Sequence, residues 1–140
     1  MIGNILETDL TDLKRGYKYY SDLGKYVCSM CGIEFEDREI FRVGDRYFSA
    51  ERMIEIHMGQ EHNGLLDHLM SADKKYTGLT ENQAAVLKMF HSGMSDADIA
   101  KQTGIAAATV RHQRFTFREK AKQAKLYLAI YELVFGDRER

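Results

Sequence analysis

The 140-residue sequence has no proline, no tryptophan and only two cysteines, and its formal net charge is close to absent at -1. Two cysteines exclude any disulfide framework beyond a single bridge, and fit better with a reducing compartment or with metal ligation. The missing proline and tryptophan carry no functional reading. No segment approaches the roughly 18 consecutive apolar residues of a membrane span. The opening MIGNILETDL has no basic stretch ahead of an apolar run, so no secretory signal is expected. These absences point to a cytoplasmic protein with no membrane partner. What is present is 44% hydrophobic residues, enough to bury real cores, on a length that allows one or two small domains.

The near-zero charge averages two unlike halves. Residues 1–75 carry 10 basic and 14 acidic side chains, and residues 76–140 carry 10 basic and 7 acidic. Within 101–125 seven basic residues (Lys101, Arg111, Arg114, Arg118, Lys120, Lys122, Lys125) face one acid, Glu119. A local basic stripe of this kind says more about phosphate binding than the global figure, although a solvated helix face has the same composition.

Periodicity divides the chain into two modules, with a helical lead and a linker. Leu6, Leu10 and Leu13 recur at helical spacing, so residues 1–24 read as an N-terminal helical segment. Residues 25–70 read as a compact module. Strands are expected within 25–49, including a hairpin of Ile40–Val43 and Arg46–Phe48 around Gly44-Asp45, and Ser49 caps a helix running to about Met58 or beyond. A short helix holding Leu65, Leu66, Leu69 and Met70 follows. Residues 71–78 read as a linker, and 79–140 as continuous helical patterning broken at Ser92-Gly93 and at Gly104. The fold class expected is α+β: a small hairpin and helix module, then an all-α domain with a long C-terminal helix.

The first constellation is Cys28-x2-Cys31 with His57-x4-His62. Two thiols two residues apart share a tight knuckle, here closed by Gly32, and both sulfurs can reach one ion. His57 and His62 fall at the end of the expected helix, where a loosened last turn brings the imidazoles together. Two thiolates and two imidazoles suit structural Zn2+, and a module of about 40 residues needs such a staple because its core is small. His68 is a rival fourth ligand. The arrangement resembles a Cys2His2 zinc finger over 26–62, but 25 residues separate Cys31 from His57, about twice the usual gap of the DNA-reading fingers. The exposed face of its helix carries Glu51, Glu55 and Glu61, which argues for a protein partner rather than DNA there. No H-E-x-x-H pattern accompanies the site, and no catalytic role is expected.

The second constellation lies in 79–118. Thr80 caps a helix whose apolar face is Val86, Leu87 and Phe90. Ser95 caps the next helix, with Asp96 and Asp98 in its first turn, and Gly104 turns the chain into a third. Ile99, Ala100, Val110 and Phe117 point inward, leaving Arg111, His112, Arg114 and Arg118 outside. The segment resembles the DNA-binding domain of LuxR/GerE-type response regulators. It keeps Leu79-Thr80, Val86-Leu87, Gly93, Ser95, Ile99-Ala100, Gly104-Ile105 and Thr109-Val110-Arg111 of that pattern, and sigma factor region 4 is nearly as similar. It departs from the pattern at Asn82, Gln83, Ala85, Ala106, Gln113 and Arg114.

The resemblance implies a recognition helix at about 107–118 entering the major groove of double-stranded DNA. Thr109, Arg111, His112 and Gln113 then contact bases or phosphates, while Arg114, Arg118, Lys120 and Lys122 serve phosphates. The apolar tail 119–135 is expected to cover the helical core in part and to offer a homodimer seam or an ordinary core helix with the remainder. The function expected is a DNA-binding transcriptional regulator. The alternative is a protein-interaction adaptor using both modules.

Overall fold

The computed structural model describes residues 8–62 and 65–139. The chain divides into two compact units, Met1–Gly78 and Leu79–Arg140. No helix among the described residues is long and apolar enough to cross a membrane.

The first unit comprises α1 (Leu10–Arg15), β1 (Tyr17–Tyr20), β2 (Lys25–Cys28), β3 (Glu34–Glu36), β4 (Phe41–Val43), β5 (Arg46–Phe48), α2 (Ala50–Glu61), α3 (Leu66–Met70) and α4 (Lys74–Thr77). Strands β1, β2 and β3 form an antiparallel sheet in that order, with Tyr17 opposite Cys28 and Tyr26 opposite both Tyr19 and Phe35. Cross-strand aromatic pairs hold this register: the Tyr19 and Tyr26 rings lie 4.6 Å apart, and Tyr17 meets Tyr26 edge-on at 6.1 Å. β4 and β5 make a separate hairpin with Val43 opposite Arg46, so Gly44-Asp45 is its two-residue turn.

Helix α2 opens where the Ser49 hydroxyl accepts a hydrogen bond from the Arg52 amide at 3.2 Å. Its buried residues are Ala50, Ile54 and Met58, spaced by four and so on one face, while Glu51, Arg52 and Glu55 remain exposed on the other. That face meets the sheet. The core of the unit is Tyr17, Cys28, Ile54 and Met58, flanked by Tyr26, Met30, Phe35 and Leu65.

Two sequence expectations change here. The segment 1–24 is not wholly helical. The helix ends at Arg15, and Tyr17–Tyr20 is an edge strand whose first residue belongs to the core. Leu6 lies outside the described residues. The expected linker 71–78 contains the helical turn α4, capped by the Asp73 carboxylate accepting from the Lys75 amide at 3.0 Å.

The second unit comprises α5 (Glu81–His91), α6 (Asp96–Thr103) and α7 (Ala107–Glu139). At the start of α5 the Thr80 hydroxyl accepts from the Gln83 amide at 3.1 Å, and the Gln83 side chain accepts from the Thr80 amide at 2.9 Å. This reciprocal box turns Gln83, a departure from the LuxR-like pattern, into a helix-starting device. Ser95 accepts from the Asp98 amide at 3.1 Å, and Gly104 ends α6 at φ 78°, a left-handed conformation that costs glycine little. With Ala106 in place of a capping residue, the first turn of α7 is closed by main chain alone: the Ala106 carbonyl accepts from Thr109 and Val110.

The core is one fully buried residue from each helix, Val86, Ile99 and Val110, surrounded by Met89, Phe90, Met94, Ala100, Ile105 and Phe117. The apolar tail does not cover this core, contrary to expectation. α7 is a single helix of 33 residues, on the order of 50 Å long, and from Leu126 to Phe135 its large apolar side chains are exposed. A 33-residue helix without a breaker outruns the three-helix core at about Phe117, and the remainder has nothing in this unit to pack on.

Candidate functional site

Strand β2 delivers Cys28 at its last residue, paired with Tyr17 on one side and followed by the knuckle on the other. The knuckle closes as the Gly32 amide donates to the Cys28 carbonyl at 2.9 Å, and Gly32 takes φ 81°. The Met30 amide donates to the Cys28 sulfur at 3.4 Å, so one main-chain dipole already faces a thiolate there. Helix α2 carries His57 just before its last turn, and His62 stands one residue past the helix at φ -114°, ψ -1°. That stretched end is what lets an i, i+5 pair converge: the two rings lie 4.7 Å apart and nearly perpendicular.

The four side chains form one cluster whose donor atoms all lie within 4.8 Å of one another. The His57 and His62 Nε2 atoms are 3.0 Å apart, Cys31 Sγ is 3.2 Å from His57 Nε2, and Cys28 Sγ is 3.4 Å from His62 Nε2. Bonds of about 2.0–2.3 Å from a tetrahedral centre set donor–donor edges of roughly 3.3–3.8 Å, close to this spacing. Cys28, Cys31, His57 and His62 can therefore hold a metal ion. His68 stands apart, lining a cavity of about 300 Å³ with Asp9, Asp12 and Lys18. His91 and His112 also lie outside the cluster.

Burial pushes the Cys28 thiol above its ordinary value, against the lowering effect of the Cys31 and Met30 amides. Burial thus favours the protonated thiol, and an ion that binds here must displace that proton. Burial also lowers His57, reinforced by His62 and opposed by Glu61, so its imidazole is held neutral and able to donate a lone pair. Two neighbours were not anticipated from the sequence. The Met58 sulfur lies 3.7 Å from Cys28 Sγ, and the Phe35 ring stands edge-on to His57 at 6.4 Å. Met58 covers the buried Cys28 side of the cluster, while Cys31 stays exposed. The helical spacing of Met58 from Ile54 was the available signal for the first, and only the fold reveals the second.

The second group of candidate residues lies on α7. Thr109, Arg111 and His112 are exposed, as are Arg118, Lys120 and Lys122, with Lys122 3.4 Å from Glu119. Two residues are placed differently from the sequence expectation. Gln113 is half-buried, turned toward the core, and its buried Oε1 has no hydrogen-bond partner. Arg114 pairs with Asp96 and lies over the Phe90 ring at 4.8 Å from its centroid, so its guanidinium ties α7 to α6 and α5. Phe115, which the sequence pattern did not single out, is 52% exposed beside His112, its ring stacked at 6.4 Å. It sits five residues beyond Val110, on the side of the helix away from the buried stripe.

Comparison with protein-family models, with curated proteins and with solved structures finds no match to this chain.

Proposed function

We propose that the chain is a DNA-binding regulator in which a structural zinc site stabilises the first unit and the outer face of α7 reads duplex DNA. The observation that carries the DNA reading is the division of labour along α7. Val110 and Phe117 face the core, Arg114 is engaged by Asp96 and Phe90, and Arg111, His112 and Arg118 stay exposed on a helix that follows a capped helix and a glycine turn. A basic helix face presented in this way has the form a major-groove reader requires. Arg111 and His112, with Thr109, are assigned to bases and nearby phosphates. Arg118, Lys120 and Lys122 are assigned to phosphates. The resemblance to LuxR/GerE-type domains supports the same reading.

Zinc is the ion of choice for two thiolates and two imidazoles in a closed four-donor set, where it stabilises the fold and leaves no position for substrate. The exposed acids of α2 keep the first unit from the phosphate backbone, and its surface is assigned to a protein partner.

The test is duplex binding across a salt series, comparing the wild type with Arg111→Ala/Arg118→Ala, with zinc assayed on the same samples. The expected result is one zinc per chain and binding that falls with salt. The salt slope should drop by about one for each phosphate that the variant no longer neutralises. Zinc-loaded protein that fails to bind duplex at low salt contradicts the DNA reading.

A further inference from the structure

Beyond the core, α7 carries a second pattern. Phe117, Ala121, Ala124, Leu128, Tyr131 and Phe135 follow one another at steps of four, three, four, three and four residues, the spacing of a coiled-coil seam. The large members past Phe117 are open to solvent: Leu128 is 47% exposed, Tyr131 38% and Phe135 41%, with Tyr127 and Val134 exposed at the flanks. At about 150–250 Å² for a large apolar side chain and the fractions above, Leu128, Tyr131, Phe135 and the flanking Tyr127 and Val134 expose on the order of 450 Å² per chain. Doubled, that is roughly 900 Å², the size of a weak, concentration-dependent interface.

We infer that the occupant of this strip is a second copy of the same chain, with its α7 running antiparallel. Side-chain size fixes the direction. In an antiparallel pair Ala121 faces Tyr131 of the other copy and Ala124 faces Leu128, with Phe135 at the edge of the core that Phe117 borders. Each small residue then receives a large one. A parallel pair sets alanine against alanine and tyrosine against tyrosine, leaving voids beside overcrowded layers. Charge agrees. Exposed Arg118 and Lys125 border the seam on the same side as Glu132, and the antiparallel alignment places Glu132 of one copy between Arg118 and Lys125 of the other. A parallel pair stacks the basic stretches side by side. Leu126, Ile130 and Leu133 lie outside this seam.

The inference shares Arg118 with the DNA reading, but its readout is mass in the absence of DNA, which tells the two apart. Sedimentation equilibrium of the full zinc-loaded chain over about 1–100 μM is expected to show a dimer of the 16.1 kDa chain. Leu128→Asp/Tyr131→Asp touches neither core cluster. It is expected to weaken association at least 100-fold with zinc content and core helicity retained. Glu132→Lys is expected to weaken association about 10-fold, a typical effect for one interfacial charge pair. Adding Arg118→Glu and Lys125→Glu to Glu132→Lys is expected to restore it. A wild-type chain that is monomeric throughout the range overturns the inference. A dimer that survives the aspartates, or charge reversal without restoration, overturns it equally.

Discussion

The two units solve the same problem, a core too small for comfort, by different means. Among the described residues of the first unit no strand exceeds four residues, and the fully buried large members of the core are Cys28 and Ile54. One of the two is a candidate metal ligand, so the centre of the unit and its metal site share an atom. In the second unit Val86, Ile99 and Val110 interlock from three helices, and the helix ends are secured by the Thr80–Gln83 box, Ser95 and the left-handed Gly104. The first unit can add metal ligation by Cys28, Cys31, His57 and His62, where the second relies on caps and helix packing. The contrast teaches that short strands bury too little backbone and side chain to stand alone, whereas three capped helices do.

The largest effect that sharpens this contrast comes from Cys28→Ser. It removes a ligand and replaces a buried sulfur with a hydroxyl. Metal content is expected to fall below one ion per chain, and the first unit is expected to lose its fold, since structural zinc contributes on the order of 10 kcal/mol in small fingers. Heteronuclear NMR checks it: the signals of 17–62 collapse and those of 81–117 stay dispersed.

Ile99→Ala is the counterpart. A fully buried isoleucine truncated to alanine costs about 2–5 kcal/mol, so the second unit is expected to melt early while the metal content stays unchanged. Thr80→Ala, which opens the capping box at the start of α5, is expected to cost about 1 kcal/mol and to lower the same melting transition modestly.

Acid is a graded perturbation of the first unit alone. His57 has its imidazole lowered by burial, so the folded first unit binds fewer protons there than the unfolded chain does. Its stability is therefore expected to be full above the ordinary histidine value of about 6.5 and to fall as the pH drops below it. Thermal melts of the first unit across that range are the check. A midpoint that rises on acidification contradicts the assigned burial of His57.

Local features were legible in the sequence because local chemistry decides them. Ser49, Thr80 and Ser95 stand directly before apolar periodic runs, Gly44-Asp45 separates two short β-prone runs, and Cys28-x2-Cys31 carries its own geometry. The features that were not legible depend on distant partners. Tyr17–Tyr20 is a strand only because β2 lies beside it, and its aromatic spacing serves a helix as readily on paper. Gln83 reads as a lost charge in the sequence, yet its amide completes a cap. Arg114 reads as a phosphate ligand, yet Asp96, 18 residues earlier, pairs with it. The exposure of the apolar tail could not be read from its composition, because a stripe of leucine and tyrosine has the same pattern whether it covers its own core or waits for a partner.

Amide hydrogen exchange of the full chain, with and without a strong metal chelator, tests the division between the two units most directly. The account predicts that chelation removes protection from 17–28 and 50–61 while 81–91, 96–103 and 107–117 keep theirs. Protection that persists in the first unit without metal, or that vanishes from both units together, would contradict it.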